Sequence, residues 1–241
     1  IYLVKNNLSP AGIAMDVNKG PLEKAQEHIR EEKLGGKIAT RLGNGLAPLE
    51  PGETDTVIIA GMGGDLICKI LKAKPEFLIE GKEFILQPQS EWFKIRRLLK
   101  EYRYQIEKEW FLKEDGKYYV IIKAEPAWTQ PQRLKHQQPS IHEYIKEISE
   151  TPANQAVSEK DMESIYEQYG KYLIETKNPV LKEYLEKEIT KKESIATELK
   201  QSIKEIESEE LSGKERGNIA KRQRRYQEIQ KEIRDMRKAI G

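Results

Sequence analysis

The sequence predicts an α/β domain with a mostly parallel sheet and an antiparallel last strand, followed by an all-α region that ends in an antiparallel coiled-coil hairpin. Strand-like and helix-like segments alternate from Ile13 to about Ala124, which is typical of a parallel sheet with helices on its faces. Charged residues make up 34% of the 241 residues and the mean hydropathy is -0.74, so the apolar content is too low for one compact globule. An elongated, solvated part is therefore expected.

The elements of the α/β part follow one another with short connections. Strands are predicted at 13–17, 37–41, 56–60, 83–87, 104–111 and 118–123. Helices are predicted at 21–32, 65–73 and 91–100. Asp115-Gly116 is a hairpin signal, so the last two strands are expected to be antiparallel neighbours.

The composition changes at Pro126, where a linker rich in proline and glutamine is predicted to run to Pro139. We therefore expect one domain over 1–125 and a helical region over 126–241, with a coiled-coil hairpin at about 178–240. Its two helices are expected to meet at a turn containing Ser212-Gly213. The predicted apolar stripe comprises Leu181, Leu185, Ile189, Ile195, Leu199, Ile203 and Ile206 on the first helix, and Ile219, Tyr226, Ile229, Ile233, Met236 and Ile240 on the second.

The most informative motif is the strand 56–60 running into Gly61-Met62-Gly63-Gly64. The strand residues are β-branched or small, as expected for a strand buried on both faces of a parallel sheet. Ligands bind at this strand-to-helix edge in open α/β sheets. A tight turn without a ligand is the alternative interpretation.

Other predicted strand ends carry polar side chains at the same edge. Asp16 closes the first strand, where an acidic residue can accept hydrogen bonds from ribose hydroxyls. Asn44-Gly45 can present an amide and a bare backbone to an adenine ring, and Gln87-Pro88-Gln89 forms an amide-rich turn. Each of these is also compatible with simple cap or turn chemistry.

Taken together, several segments resemble the bacterial tRNA adenine-22 N1 methyltransferases that use S-adenosylmethionine. The similar segments are 12–21, 41–46, 59–64, 85–89 and 114–119, and the resemblance extends over essentially the whole chain. It implies a Rossmann-like methyltransferase domain with a C-terminal coiled coil. It also implies an enzyme that transfers a methyl group to N1 of adenine 22 in tRNA.

The resemblance assigns roles to residues at the sheet edge. The implied contacts of S-adenosylmethionine are Asp16, Val17, Asn44, Gly45, Ala60, Gly61, Met62 and Gly63. Gln87, Pro88 and Met62 are the implied base-positioning residues of the catalytic site. An unpaired adenine N1 has a free lone pair, so methyl transfer needs positioning and desolvation more than a general base.

The chain departs from the family pattern in places. Residues 1–4 resemble the tail of a helix, and the family has a strand and a turn of the type Asp-Ile-Gly-Ser-Asp-His ahead of that helix. We therefore expect that a segment upstream of Ile1 is missing from this sequence. Asn44 stands where the family usually has aspartate. Gln89 stands where asparagine is expected after Gln-Pro.

Basic residues predict contacts with RNA phosphates. The candidates are Lys94, Arg96, Arg97, Lys100 and Arg103 in the first domain, and Lys221, Arg222 and Arg225 in the hairpin. The alternative interpretation is that these are the solvated charges of ordinary helices. The net charge of +2 permits a polyanionic partner without requiring one.

Other classes of site have little support in the sequence. The single cysteine, Cys68, lies on the apolar face of a predicted helix, and His28, His136 and His142 are scattered, so no metal site is expected. No apolar run is long enough to span a membrane, and a cytoplasmic monomer or weak dimer is expected. Two alternatives remain: a non-catalytic RNA-binding or coiled-coil adaptor, and a nicotinamide-dependent oxidoreductase.

Overall fold

The computed structural model describes residues 1–127, 153–207 and 213–241. Most of the predicted linker 126–139, and the turn at Ser212, lie outside these ranges. The described residues divide into two compact units. The first unit contains residues 1–105 and 124–127, and the second contains 106–123 with 153–207 and 213–241. The predicted boundary at 125 is therefore not where the compact units divide, because most of the last two strands belongs to the second unit.

The first unit contains most of the alternating strands and helices. Its elements are α1 (Tyr2–Lys5), β1 (Gly12–Asp16), α2 (Lys19–Glu31), β2 (Ile38–Leu42), β3 (Thr56–Met62), α3 (Gly64–Ala73), α4 (Pro75–Ile79), β4 (Glu83–Pro88) and α5 (Trp92–Glu101). The two following strands are β5 (Tyr104–Glu114) and β6 (Lys117–Pro126). The sequence missed α4, because one helical turn is too short to give a periodic pattern.

The strands described here form two sheets. β1 pairs with β2 in parallel, in a register that runs from Gly12 opposite Ile38 to Asp16 opposite Leu42. The other sheet has the order β3-β4-β6-β5, and its β3–β4 pair is also parallel. The β3–β4 register shifts at Ala60, where the glycine motif begins.

One expectation about β3 is wrong. Val57 and Ile59 are 5% and 7% exposed, whereas Ile58 between them is 50% exposed. Side chains alternate across a strand, so β3 buries one face and leaves the other open among the described residues. The β-branched composition predicted the strand correctly but not the burial of both its faces.

The core of the first unit lies between the sheet and its helices. α3 packs against α5. The most deeply buried side chains here are Ile67, Leu71, Phe77, Leu78, Phe84, Leu86, Ile95 and Leu99. A smaller cluster of Val4, Ile29, Ile38 and Leu34 joins α1 and α2 to β2.

The turn between β5 and β6 has the predicted hairpin geometry. Asp115 and Gly116 are the only residues between the two strands, and their φ angles are 47° and 76°. A type I′ turn requires positive φ at both central residues, and its twist suits two antiparallel strands. This turn confirms the predicted hairpin.

Apart from the β5–β6 hairpin, the described part of the second unit is mainly helical. Its helices are α6 (Ala153–Tyr169), α7 (Lys171–Glu175), α8 (Pro179–Glu207) and α9 (Gly213–Ile240). α8 and α9 pack along each other and form the predicted helical hairpin. No helix within the described ranges combines the length and the apolarity needed to cross a bilayer.

The seam of this hairpin differs from the predicted stripe at Ile195, which is 45% exposed while Ala196 is 3% exposed. Positions 185, 189, 192, 196, 199 and 203 follow alternating spacings of four and three, which keeps one line of side chains facing the partner helix. Lys192 lies on this line and pairs with Glu232 of α9. Ile195 was therefore wrongly assigned to the stripe, and the side chain of Ile206 lies outside the described part.

Candidate active site

The bend after β3 is fixed by a side chain from β4. Gly61 has a φ of 78°, which favours glycine, and its N–H donates a hydrogen bond to Gln87 Oε1 at 2.8 Å. The amide nitrogen of Gln87, Nε2, is buried and, unlike Oε1, has no hydrogen-bond partner among the described residues. Gln87 thus holds the bend with one atom and leaves a donor for another group.

The start of α3 lies against the turn that follows β4. The Gly64 N–H donates to Ser90 O at 2.9 Å, and the Gln89 N–H donates to Met62 O at 2.8 Å. A Cβ atom on Gly64 would lie 2.7 Å from the carbonyl oxygens of both Ser90 and Glu91, so only glycine fits here. The sequence indicated the bend but gave no signal for this contact between the two turns.

Charged side chains surround the first turn of α3. The Asp65 N–H donates to Glu91 Oε2 at 3.3 Å, and Lys94 Nζ pairs with Asp65 Oδ1 at 2.9 Å. Hydrogen bonds from Lys69 and then Lys94 lower the pKa of Asp65 to about 2. The hydrogen bond to Asp65, followed by the one to Glu91, raises the pKa of Lys94. Lys94 therefore already forms ion pairs with Asp65 and Glu91.

The ends of β1 and β2 are joined to each other. The Gly43 N–H donates to Asp16 O at 3.0 Å. Asp16 Oδ1 accepts from the Asn18 N–H at 2.8 Å, while Oδ2 has no partner within the described ranges. Val17 is 61% exposed beside it. A carboxylate oxygen and an apolar surface therefore lie next to each other, as a ribose and an adenine ring would require.

The Asn44-Gly45 turn packs against α3. Gly45 has a φ of 55°, and a Cβ on it would lie 2.8 Å from Ile70 Cγ2. Asn44 itself is exposed. The predicted strand ends are thus connected within one unit: Asp16 contacts Gly43, and the neighbouring turn contacts the helix that begins at Gly64.

The proposed base-positioning residues lie where β3 and β4 end. Met62 is opposite Pro88 in the strand register, and Pro88 is buried. Gln87 precedes Pro88 and is half-buried. The structure therefore brings together Met62, Gln87 and Pro88.

The predicted RNA-binding residues of the first unit have different environments. Arg96 is only 5% exposed, so its side chain is not available to an RNA phosphate, and its inclusion among the contacts was wrong. It is one of the buried residues of α5, with Ile95, Leu98 and Leu99. Arg97, Lys100 and Arg103 are exposed, and the Arg97 guanidinium lies 5.2 Å from the centre of the Phe93 ring.

The predicted RNA-binding residues of α9 also differ in their environments. Lys221 is exposed. Arg222 donates to Ser202 Oγ on α8. Arg225 pairs with Glu228 at 3.2 Å and with Glu232 at 3.3 Å. Two of these three cations therefore take part in contacts within the hairpin.

The residues described by the structure include no group of three or more histidine, cysteine, aspartate or glutamate side chains that could hold a metal ion. Cys68 is a free thiol and is half-buried rather than fully buried. Burial raises the pKa of this thiol. A raised pKa disfavours the reactive thiolate, which is consistent with a structural role.

Comparison with known proteins identifies the family. A family model described as TrmK, tRNA (adenine(22)-N(1))-methyltransferase, matches residues 1–152. The chain belongs to the TrmK family. This result confirms the resemblance found in the sequence motifs.

Similar proteins agree with this TrmK assignment. The curated tRNA (adenine(22)-N(1))-methyltransferase of Bacillus subtilis (strain 168) is 38% identical over 124 residues. That alignment covers 52% of this chain and 52% of the relative, so the match spans about half the length of the curated relative.

Solved structures of TrmK proteins share the fold. The crystal structure of the B. subtilis M1A22 tRNA methyltransferase TrmK has a TM-score of 0.70 and 24% identity, covering 100% of this chain and 86% of that chain. M. capricolum TrmK in complex with S-adenosyl-homocysteine has a TM-score of 0.66 and 24% identity, covering 99% of this chain and 84% of that chain. These likenesses confirm the predicted Rossmann-like fold class.

Proposed function

We propose that this protein transfers a methyl group from S-adenosylmethionine to N1 of adenine 22 in tRNA. The observation that carries the proposal is the glycine bend after β3, locked by Gln87 at the end of β4, in a chain of the TrmK family. The B. subtilis relative bears the name of this activity. A reaction on tRNA would take place in the cytoplasm.

The proposed cofactor site uses the ends of β1, β2 and β3. Asp16 Oδ2 accepts hydrogen bonds from the ribose hydroxyls, and Val17 packs against the adenine ring. Asn44 and Gly45 contact the adenine edge. The remaining proposed contacts come from the bend: Ala60, Gly61, Met62 and Gly63.

The proposed chemistry needs no general base. S-adenosylmethionine, when bound, would supply a methyl group on a positively charged sulfur. The N1 lone pair of an unpaired adenine would attack the methyl carbon in line, the bond from that carbon to sulfur would break, and the products would be neutral S-adenosylhomocysteine and a cationic adenine. Gln87, Pro88 and Met62 hold the adenine after it leaves its base pair. The buried Gln87 Nε2 donates to an acceptor on that base, and nearby backbone carbonyls stabilise the positive charge that develops on it.

The tRNA is proposed to contact exposed cations on both units. Arg97, Lys100 and Arg103 supply phosphate contacts beside the site, and Lys221 supplies one on the hairpin. Arg222 and Arg225 can add long-range attraction while keeping their contacts within the hairpin. Lys94 serves mainly to hold the first turn of α3.

The activity is tested with the intact protein, S-adenosylmethionine and two tRNA transcripts that differ only in having adenine or guanine at position 22. A methyl group on N1 blocks Watson–Crick pairing, so primer extension should stop at position 22 of the adenine transcript alone. Equal methylation of both transcripts would contradict the proposed target. No methylation of either would contradict the proposed activity.

The cofactor site is tested by Asp16→Ala, with Asp55→Ala as an exposed control. Losing a charged acceptor should weaken S-adenosylmethionine binding about tenfold or more in calorimetric titration. Asp16→Asn should lie between wild type and Asp16→Ala, because it keeps one acceptor oxygen. Unchanged affinity in Asp16→Ala would remove the ribose role, and comparable binding of NAD would favour an oxidoreductase instead.

A further inference from the structure

The loop after β2 is tied to the strand by one ion pair. Arg41, near the end of β2, contacts both carboxylate oxygens of Glu53: Nη2 lies 2.6 Å from Oε1, and Nη1 lies 2.6 Å from Oε2. This two-pronged geometry is the strongest arrangement available to an arginine and a carboxylate. The Arg41–Glu53 pair, together with the backbone groups it holds, is called the loop clamp below.

The loop clamp also holds the middle of the loop. Arg41 Nη1 donates to Pro48 O at 2.8 Å, and Glu53 Oε2 accepts from the Glu50 N–H at 2.7 Å. Two side chains thus connect the strand, the middle of the loop and its far end. Residues 43–53 therefore form a closed loop rather than a free connection.

The interior of this loop leaves little space for movement. Leu46 and Leu49 are 3% and 1% exposed. A Cβ on Gly43 would lie 2.2 Å from Pro48 Cγ, so the loop closes directly onto the start of its own turn. On the other side, Gly45 rests against Ile70 of α3. The loop clamp and α3 therefore both restrict the movement of the Asn44-Gly45 turn.

The clamp residues direct their charged groups at each other and at the loop. Both terminal nitrogens of Arg41 are bound to Glu53, and both carboxylate oxygens of Glu53 are occupied. Their side chains are 32% and 30% exposed, so water competes with the pair only partly. The contacts of this pair connect it to the loop that carries Asn44, so the loop is the route by which the pair can affect the site.

We infer that the loop clamp is a positioning device that presents the Asn44-Gly45 turn to the adenine side of the cofactor. This inference rests on the proposed function. Arg41 and Glu53 are positioning residues, because they touch the loop and not the ligand. Misplacing a binding group by a small distance is enough to reduce affinity strongly, so a loosened turn lowers cofactor affinity without removing any contact atom.

The charge of the clamp is stable over the physiological pH range. The hydrogen bond from Arg41, followed by that from the Glu50 N–H, lowers the pKa of Glu53 to about 2. The contribution of a carboxylate with a lowered pKa is fully present above its unfolded pKa and is lost as pH falls toward the folded value. The clamp therefore stays closed from neutral pH down to mildly acidic conditions.

The test compares Glu53→Gln with Glu32→Gln in the intact protein. Glu32 pairs with Lys5 at 2.6 Å, and its side chain is 38% exposed against 30% for Glu53. Affinities are measured by calorimetry for S-adenosylhomocysteine and for 5′-methylthioadenosine, which lacks the amino-acid part. Glu53→Gln should weaken both ligands about tenfold and leave kcat at saturating S-adenosylmethionine within about twofold. Glu32→Gln should change neither.

Two further measurements separate positioning from general destabilisation. Amide hydrogen exchange of residues 43–50 should accelerate in Glu53→Gln while the amides of β3 and α3 keep their protection. The reversed pair, Arg41→Glu with Glu53→Arg, should recover part of the affinity that either single change loses.

The outcomes distinguish this inference from the proposed function. Unchanged affinity for both ligands in a folded Glu53→Gln variant overturns the clamp alone, as does a loss confined to kcat. A loss of affinity for S-adenosylhomocysteine alone also overturns it, because the Arg41–Glu53 pair would then affect binding of the amino-acid part and not of the adenosine part. A wild-type protein that binds no adenosyl ligand overturns the cofactor site and the clamp together.

Discussion

The glycine bend and the helical hairpin are built on opposite principles. At the bend, backbone touches backbone, and Gly64 has no room for even one additional carbon. Along α8 and α9, side chains make the contacts, and the same kind of contact repeats every few residues. In a repeated seam, a substitution removes the contacts of one position and leaves the others in place, whereas a backbone contact is lost completely when one atom is added.

The two regions also use charge differently. Around the bend, Asp65, Lys94 and Glu91 form one cluster at the first turn of α3. Along the hairpin, ion pairs are spread out, as between Arg237 and Glu193. Exposed pairs of this second kind contribute little individually. We therefore expect substitutions at the bend to change function and substitutions in the seam to change stability.

The largest expected effect is on the stability of the hairpin. Ile229 is fully buried in the seam, so Ile229→Ala should lower the free energy of unfolding by about 3 kcal/mol in chemical denaturation. Ile195→Ala, at the exposed position, should lower it by less than about 0.5 kcal/mol. S-adenosylmethionine affinity should stay at the wild-type value in both. Equal losses from the two variants would contradict the seam assigned here.

The next effect is at the bend. Gly64→Ala places a Cβ against two backbone oxygens and should cost about 2 kcal/mol of stability, with at least about tenfold weaker cofactor binding. Gly20→Ala is the matched control, because nothing lies within 4 Å of its added carbon in α2. It should be neutral or slightly stabilising. Wild-type cofactor affinity in Gly64→Ala would contradict the expectation that substitutions at the bend change function.

The smallest effect is the acid dependence of the second unit. Lys113, Lys187 and Tyr118 all donate to Glu183, and these hydrogen bonds lower its pKa to about 2. The stabilisation is therefore complete above about pH 5 and is lost as pH falls toward 2. Glu183→Gln should have a lower denaturation midpoint than wild type at pH 7, and the difference should shrink at pH 3.

Salt gives an independent check on that interpretation. The Glu183 pairs are exposed, so 1 M salt at pH 7 should reduce the difference between wild type and Glu183→Gln. Asp65→Asn should show the same acid dependence in the first unit, because Lys69 and Lys94 lower the pKa of Asp65. A difference between wild type and Glu183→Gln that is the same at pH 3 and pH 7 would remove the proposed role of the charge.

Local patterns predicted most of the elements. The strands, the Asp115-Gly116 turn and the two long helices follow from alternation, turn chemistry and periodicity, which are properties of neighbouring residues. α4 was missed because it is short. Ile195 was misplaced because Ala196, which occupies the seam, is too small to stand out in a search for large apolar residues.

The candidate site was predicted in part for the same reason. Asp16, Asn44 and the glycines stand at strand ends, so the sheet edge could be inferred from the chain order. Three contacts could not be inferred from the chain order: the hydrogen bond from the Gly64 N–H to Ser90 O, the one from the Gly61 N–H to Gln87 Oε1, and the Arg41–Glu53 pair. Each joins residues whose partners are selected by packing rather than by spacing in the sequence.

The sequence by itself determined the family, the order of the elements and the glycines that the bend requires, because these are recorded in runs of adjacent residues. The tertiary structure decided which strand faces are covered, that Arg96 is buried, and which polar atoms near the bend already have partners. Burial and hydrogen bonding depend on atoms that meet from distant parts of the chain, and only the folded arrangement brings those atoms together.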